Sequence, residues 1–271
     1  MSIKPDYVFT RDFFDNTRVN LQHYLFVELF GYLLHPKIPT QKPNLRVADV
    51  GTGTCIWIRD LVPKLPSTTQ FDGLDISFDA SPSKWLPPNV ALHLLNLKDP
   101  VPDEFIGVYD IVHIRNFSFV LMDEEIPLVL DHLIQMLKPG GYLQWDEPDV
   151  ASFRVEKTNP ENNASALEEL FPLTQSQDER LKPHWVPSIR DLFSERGLQD
   201  VESDVRDPPP SLALPMHECS MLIPTAIARQ THNMEVAQKL SSLMPKVVEE
   251  TKEGSCWAFT RYVVVGRKPE A

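Results

Sequence analysis

A glycine-containing turn between a predicted strand and a predicted helix constrains this chain more than any other feature. Residues 46–50 (RVADV) form a short apolar run that is typical of a buried parallel strand, and residues 51–54 (GTGT) follow it directly. A helical pattern begins at about Cys55. Glycines at such a turn let a ligand approach the backbone, and the start of the helix offers free N–H groups. Because the chain has only 10 glycines, the pair Gly51 and Gly53 is informative, and it predicts a ligand-binding loop.

Polar residues also follow the second and third predicted strands. Asp75 lies about 20 residues after Gly53, the spacing at which a carboxylate contacts a ribose in nucleotide-binding sheets. Asn96 and Leu97 end the third strand, and a polar side chain followed by an apolar one suits the edge and the face of an adenine. A dinucleotide loop of the G-x-G-x-x-G type is excluded because Ile56 occupies the sixth position. The order and spacing of these elements, rather than any single residue, indicate the site.

Short strands alternate with helices through the first half of the chain. Such alternation predicts an α/β fold with a parallel, doubly wound sheet. The predicted strands are 46–50, 71–76, 90–95, 109–115 and 142–145, the predicted helices between them include 55–64 and 125–137, and a β-rich segment at 259–265 is the last strand.

Predicted helices flank this core on both sides. An apolar stripe predicts an N-terminal helix at 12–35, and we expect residues 1–44 to form a helical cap on a domain at 45–271. Residues 148–187 and 207–254 are interpreted as insertions on the substrate side of that domain.

The second insertion is predicted to be a helical lid. Four prolines predict an extended loop at 207–215, and two helices broken near 231–233 follow it. This segment connects the last two strands of the chain. A hairpin would need only a few residues for that connection, so the greater length predicts a lid. Met221 and its apolar neighbours would give the lid an adaptable face for a hydrophobic metabolite, and the alternative is that they pack on the core.

Four segments resemble fungal class I methyltransferases of secondary-metabolite pathways, including those of gliotoxin-type clusters and, more distantly, the regulator LaeA. The segments are 47–57 (VADVGTGTCIW), 83–89 (SKWLPPN), 109–116 (YDIVHIRN) and 137–147 (LKPGGYLQWDE). The loop of that class is D/E-x-G-x-G-x-G, and here Cys55 replaces its third glycine. The resemblance implies a Rossmann-like, seven-stranded sheet that is parallel except for the last strand, which would lie between the fifth and sixth. It also implies S-adenosylmethionine (SAM) as the cofactor, and O- or N-methylation of a small-molecule fungal metabolite.

The resemblance also implies where SAM binds. The backbone of Gly51 and Gly53 would lie near the methionyl part, Asp75 would contact the ribose, and Asn96 and Leu97 would flank the adenine. Because Cys55 is larger than glycine, either the following helix lies further out or the thiol lies near the cofactor. The complete set of predicted cofactor residues is Asp49, Gly51, Thr52, Gly53, Asp75, Ile76, Asn96, Leu97, Arg115 and Arg18.

Two arginines in that set have alternative interpretations. Arg115, at the end of the fourth strand, is expected to bind the SAM carboxylate or to form an ion pair with Asp110 or Glu147. Arg18, with its neighbour His23 on the N-terminal helix, is expected either to close over the cofactor or to lie on the surface.

Three residues are candidates for catalysis. Asp146 and Glu147 lie at the carboxyl end of the fifth strand, where doubly wound sheets bind their ligands. His113 lies inside the fourth strand, and its alternative role is that of a hydrogen-bonded core histidine. A general base would assist methylation of a hydroxyl, whereas a neutral amine needs none. His132, on a helix, is expected to be solvated.

Four residues in the less regular second half are candidates for substrate contact. Loops over the edge of a sheet often carry binding residues. The candidates are His184, Trp185, His217 and Met221.

Charge and cysteine content limit the partners. The net charge of −12 disfavours nucleic-acid and anionic-membrane partners, since an acidic surface repels phosphates. The three cysteines are far apart and form no C-x-x-C pair, so neither a zinc site nor a disulfide framework is predicted. The N-terminus lacks a signal-peptide pattern, which predicts a cytoplasmic protein. We expect this protein to be a monomer or a homodimer.

Two functions therefore remain from the sequence. The first is a SAM-dependent methyltransferase acting on a small hydrophobic metabolite. The alternative is a non-methylating protein of the same fold, either a LaeA-like regulator or a scaffold recruited for other chemistry.

Overall fold

Seven strands form one sheet in the order β3-β2-β1-β4-β5-β7-β6. The computed structural model describes residues 8–270. Strands β1 to β5 pair in parallel, and β7 runs antiparallel between β5 and β6. The predicted sheet, with its last strand inserted antiparallel, is confirmed. The strands are β1 Arg46–Val50, β2 Gln70–Asp75, β3 Val90–Leu94, β4 Tyr109–Arg115, β5 Leu137–Lys157, β6 Gln199–Arg206 and β7 Ser255–Arg267.

Helices cover both faces of the sheet. Alternate residues of β1 point to opposite faces, so Val47 packs with Trp57 and Ile58 of α2, while Val50 packs in the cluster that contains Leu130 of α3. This two-sided burial explains why β1 is an almost continuous apolar run. The helices are α1 Phe13–Phe30, α2 Ile56–Leu61, α3 Ile126–Met136, α4 Ser165–Gln175, α5 Ile189–Glu195, α6 Pro210–Gln230 and α7 Met234–Lys252.

A group of helices lies beyond the carboxyl ends of the parallel strands. Helices α4, α6 and α7 share an apolar cluster with Trp257 and Phe259 of β7, and Phe26 and Phe30 of α1 pack against Met216 of α6. Two helices, α6 and α7, occupy most of the predicted lid. Residues 8–270 include no helix that combines the length and the apolar character of a membrane span.

Several predicted boundaries are wrong. Helix α1 ends at Phe30 because Gly31 adopts a left-handed conformation (φ 74°) and closes the helix by donating to the Val27 carbonyl. Helix α6 begins at Pro210, inside the predicted loop, because proline in the first helical turn lacks only an N–H that has no helical partner. Strand β5 extends to Lys157 because β7 pairs with its second half.

The predicted exposure of His132 is also wrong. Its side chain is buried, and Nδ1 lies 2.8 Å from the carbonyl oxygen of Leu97. Helix α3 thereby holds the segment that follows β3.

Candidate active site

A cavity of about 500 Å³ opens at the carboxyl ends of the parallel strands. The loops that follow β1, β2, β3 and β4 meet there, as expected for a doubly wound sheet. All ten predicted cofactor residues line this cavity, and we call it the main cavity: Asp49, Gly51, Thr52, Gly53, Asp75, Ile76, Asn96, Leu97, Arg115 and Arg18.

The loop after β1 forms one wall and needs its glycines. Gly51 and Gly53 both have positive φ (69° and 50°), a backbone conformation that glycine adopts without steric cost. A Cβ on Gly51 would overlap the ring of Phe117, which packs directly over it. The Gly51 and Thr52 amides donate to the Leu74 carbonyl and so join this loop to β2.

Cys55, at the third glycine position, also has positive φ (57°). Its side chain is fully buried and does not line the main cavity, and burial raises the pKa of the thiol. Of the two alternatives stated for Cys55, a thiol that reaches the cofactor space does not fit this placement. Cysteine adopts the backbone conformation of glycine here without taking up ligand space.

Asp75 lies at the end of β2 and supports the same loop. Its Oδ2 accepts from the Gly53 amide at 2.9 Å, and its Oδ1 accepts from the Ser77 amide at 3.2 Å. Burial raises the pKa of this carboxyl group despite these hydrogen bonds. Each oxygen therefore accepts one of these backbone hydrogen bonds, and Asp75, which lines the main cavity, keeps further acceptor capacity for a ligand.

Arg115 brings a half-buried positive charge to the opposite wall. Its Nη2 donates to Nδ1 of His23 on α1 at 2.7 Å, and burial lowers the pKa of His23 to about 4, so that imidazole is neutral. Neither predicted carboxylate partner pairs with Arg115. Asp110 binds two lysines instead, and no carboxylate among residues 8–270 forms an ion pair with this guanidinium.

His113 bridges two carboxylates beneath the loop. Its Nδ1 lies 2.7 Å from Asp49 Oδ1 and its Nε2 lies 3.1 Å from Asp146 Oδ2, while the ring stacks on Trp57 at 3.8 Å. Burial opposes protonation, but the hydrogen bonds to Asp146 and Asp49 raise the pKa of His113. Because both nitrogens are engaged, the prediction of His113 as a general base does not fit this geometry, and the alternative of a hydrogen-bonded core histidine does.

The predicted catalytic carboxylates lie behind the cavity walls. Neither Asp146 nor Glu147 lines the main cavity, and both are buried. Glu147 accepts hydrogen bonds from the Phe117 amide, from the amide and hydroxyl of Ser118, and from the indole of Trp145. Direct contact of either carboxylate with substrate is thus a prediction that the structure contradicts, since their oxygens are occupied by protein donors.

The four predicted substrate residues also lie away from the cavities described here. His184 is exposed, Trp185 packs in the main core near Trp145, and Met221 packs in the helical cluster. His217 is buried, with Nε2 at 2.9 Å from the Thr251 hydroxyl and Nδ1 accepting from the Trp257 amide. Their irregular sequence context suggested exposure to ligand, but tertiary packing directs them elsewhere.

Sequence reasoning missed much of the wall opposite the sheet. Helix α1 contributes Asp15, Asn16, Val19 and Gln22 in addition to Arg18, and residues 116–122 contribute most of one side. Gln22 donates to Asn116 Oδ1 at 3.1 Å and so joins α1 to the loop after β4. The apolar period of α1 predicted the helix but could not indicate which loop its polar side would cover.

A smaller chamber of about 50 Å³ adjoins the main cavity, and the two share Gln22 and Phe119. We call it the aromatic chamber. Its walls are Gln22, Phe119, Pro148, Val150, Phe171, Thr174, Gln175, Leu181, Ser220, Ile223, Trp257, Phe259 and Arg261.

Comparison with known proteins agrees with this geometry. A methyltransferase domain model matches residues 21–203. The N-methyltransferase gliN of Aspergillus fumigatus is 31% identical over 223 residues, covering 77% of this chain and 75% of that protein. The methyltransferase grgD of a Penicillium species is 37% identical over 147 residues, which are about half of each protein.

The fold has counterparts among solved structures. Phosphoethanolamine N-methyltransferase 2 of Haemonchus contortus, solved in complex with S-adenosyl-L-methionine, superposes with a TM-score of 0.53 at 16% identity. The superposition covers 99% of this chain and 61% of that one.

The sheet order and the cavity at its carboxyl edge define a Rossmann-like protein of the class I methyltransferase type. The chain belongs to the methyltransferase domain family. The predicted resemblance to fungal SAM-dependent methyltransferases is thereby confirmed.

Proposed function

We propose that this enzyme transfers the methyl group of SAM to a nitrogen atom of a small, largely apolar fungal secondary metabolite. The observation that carries the proposal is the junction of two cavities: the main cavity, lined by every predicted cofactor residue, and the aromatic chamber beside it. One has the groups that an amino-acid nucleoside needs, and the other has the character of an apolar substrate site.

The residues of the main cavity fit SAM. A carboxylate, Asp75, is available for ribose hydroxyls. The half-buried guanidinium of Arg115 has no carboxylate partner within residues 8–270 and can bind the methionyl carboxylate. Bound there, SAM supplies an activated methyl group for in-line displacement at carbon. The chain itself orients the reactants and excludes water, which is worth about 7–11 kcal/mol in well-aligned reactions.

The groups around both cavities favour nitrogen over oxygen as the acceptor. The described walls of the aromatic chamber hold no carboxylate and no imidazole. In the main cavity, the imidazole and every described carboxylate other than Asp75 are engaged with a protein partner. A neutral amine attacks without a base, whereas a hydroxyl benefits from one by about 10²–10⁴-fold. Since His113, Asp146 and Glu147 are held by protein partners, we assign them a positioning role: Glu147 fixes Phe117 over the loop, and Asp146 fixes His113 and, through it, Asp49.

The proposal also covers the partners, the cellular location and the N-terminal segment of this protein. The acidic charge of −12 supports a protein that acts on small molecules without a nucleic-acid partner. We propose that it works in the cytoplasm, as a monomer or homodimer. We also propose that residues 8–44 act as a cap on the domain that follows, since α1 closes one side of the main cavity.

Replacing Asp75 by Asn tests the cofactor site. We expect titration calorimetry to show that Asp75→Asn weakens SAM and S-adenosylhomocysteine (SAH) binding roughly 10- to 100-fold, because a charge-assisted hydrogen bond is lost. Asp99→Asn, at an exposed position outside the cavity, should leave the affinity unchanged. Failure of the wild-type protein to bind SAM and SAH would refute the proposal.

A labelled donor tests the acceptor atom. The enzyme is incubated with [methyl-¹³C]SAM and a panel of small aromatic amines and phenols, and the ¹³C shift of any product separates N-methyl from O-methyl groups. We expect N-methyl products. Products methylated only on oxygen would contradict the nitrogen assignment while leaving the methyltransferase activity intact.

A further inference from the structure

Arg261 lies at the carboxyl edge of the sheet because β7 runs antiparallel. Its register partners are Pro148 of β5 and Arg206 of β6. The early residues of β7 therefore lie beside the carboxyl end of β5, where ligands of such sheets bind. The Arg261 side chain lines the aromatic chamber and is 8% exposed.

The guanidinium of Arg261 is poorly satisfied by the protein. Its Nη1 donates to the Phe259 carbonyl at 2.8 Å, and Nε and Nη2 form no hydrogen bond with any of residues 8–270. No described carboxylate forms an ion pair with it, since nearby Asp207 pairs with Arg154. Burial lowers the pKa of Arg261 to about 10, so the group stays charged at neutral pH. A buried charge with unused donors is costly unless a ligand pairs with it.

Few other polar groups of the aromatic chamber could bind the same ligand atoms as Arg261. Phe119, Phe171, Trp257 and Phe259 supply most of the apolar wall, and the ring centroids of Phe171 and Trp257 are 5.4 Å apart in an edge-to-face arrangement.

The hydroxyl and amide groups of three polar wall residues are already engaged with backbone carbonyls. Thr174 donates to Leu170, Gln175 donates to Leu181, and Ser220 donates to Met216. Arg261 is therefore the one cation among the described walls of a largely apolar chamber.

The dimensions limit what Arg261 can bind. A chamber of about 50 Å³ has room for a few water-sized groups and not for a whole metabolite. Since Gln22 and Phe119 also border the main cavity, a substrate can extend one group into the aromatic chamber while the remainder lies nearer the cofactor site.

We propose that Arg261 is a specificity-determining residue that binds an sp² acceptor oxygen, a carboxylate or a carbonyl, on the methyl-accepting substrate. The inference rests on the proposed function and adds to it the substrate class: an apolar ring compound that carries such an oxygen on the side away from the methylated nitrogen. Two N–H donors on one plane suit the paired lone pairs of this group.

Small probes test the inference without knowledge of the substrate. Binding of phenylacetate, phenylacetamide and ethylbenzene to SAH-saturated protein is measured by ligand-observed NMR. We expect an acceptor-bearing probe to bind wild type roughly tenfold more tightly than ethylbenzene. Preference for phenylacetate would identify an anionic group, and equal binding of the amide would identify a neutral carbonyl; both results support the proposal.

Variants separate Arg261 from general effects. Arg261→Met should abolish the preference, Arg261→Lys should keep part of it for phenylacetate, and Arg206→Met, at the register partner on β6, should leave it unchanged. The proposal is overturned if wild type shows no preference for acceptor probes, or if Arg261→Met retains it while folded. SAH titration of each variant reports on the cofactor site separately, so loss of SAH binding in wild type would count against the proposed function and not against Arg261.

Discussion

At the scale of single residues, close packing rather than charge decides whether the loop after β1 can form. Gly51 tolerates nothing larger because Phe117 lies on it, whereas Cys55 fits with a positive φ because its thiol has space behind the loop. Two positions with similar backbone conformation thus differ in the size of the side chain that they can hold. The difference comes from neighbours that are distant in sequence.

Substitution of Gly51 by Ala is expected to weaken SAH binding. Gly107→Ala is the matched control because Gly107 has a similar φ (66°) and a Cβ there meets no atom within 4 Å. Both variants carry the backbone cost of alanine in a left-handed conformation, about 1–2 kcal/mol, but only Gly51→Ala displaces Phe117 into the main cavity. Calorimetry should show lost SAH affinity in Gly51→Ala alone, with recovery in Gly51→Ala/Phe117→Leu. Equal affinities in the two single variants would contradict this explanation.

At the level of secondary-structure elements, the loop after β4 depends on Glu147 in the middle of β5. Glu147 accepts four hydrogen bonds, three of them from Phe117 and Ser118, and is fully buried. Burial raises the pKa of Glu147 from 4.5 to about 7 despite these donors. The protonation state of Glu147 is therefore coupled to the position of Phe117 in the wall of the main cavity.

The raised pKa of Glu147 predicts that the fold loses stability as pH rises. Below pH 4.5 the group is protonated in the folded and unfolded states; between 4.5 and about 7 only the unfolded chain has released its proton, which favours unfolding. The contribution lost across this window is about 3 kcal/mol.

Urea unfolding of wild type and Glu147→Gln over a pH series measures this contribution. The unfolding free energy of wild type minus that of Glu147→Gln should fall as pH rises through the window. The raised pKa of His113 also lowers stability as pH rises, but it acts in both proteins and therefore cancels in the difference. A difference that is independent of pH, or that grows with pH, would exclude a raised pKa at Glu147.

At the scale of the whole molecule, the main cavity is assembled from segments that are far apart along the chain. Helix α1 covers loops that begin some 30 to more than 90 residues later, through Gln22 to Asn116 and Asn20 to Thr54. Residues near Arg180 complete the rim. Ligand binding should therefore reduce the mobility of segments that are far apart in the sequence.

Hydrogen–deuterium exchange tests this assembly. Addition of SAH should slow amide exchange in residues 13–22 and 116–122 together, and leave α5 unchanged because it packs on the core away from the cavity. At a hundredfold excess over Kd, SAH should also raise the unfolding free energy by about 2.7 kcal/mol. Protection confined to the loop after β1, with none in α1, would show that α1 does not close the site.

The sequence was informative where function follows from local pattern. The loop after β1, Asp75 at the end of β2 and the residues that follow β3 line one cavity, because the carboxyl ends of neighbouring parallel strands converge on one edge. Their role in binding SAM stays a prediction. The same rule failed for Asp146 and Glu147. They lie where the parallel pairing of β5 with β4 ends, but their side chains are buried and bound by protein donors.

Short-range periodicity and spacing therefore encode the order of strands and helices, the glycine turn and the positions of Asp75, Asn96 and Leu97. Tertiary packing sets three other features: no described carboxylate pairs with Arg115, α1 lines the main cavity, and Arg261 lines the aromatic chamber. The physical reason is that a side chain's partners and burial depend on segments packed from elsewhere in the chain, and no local pattern specifies which segment will cover it.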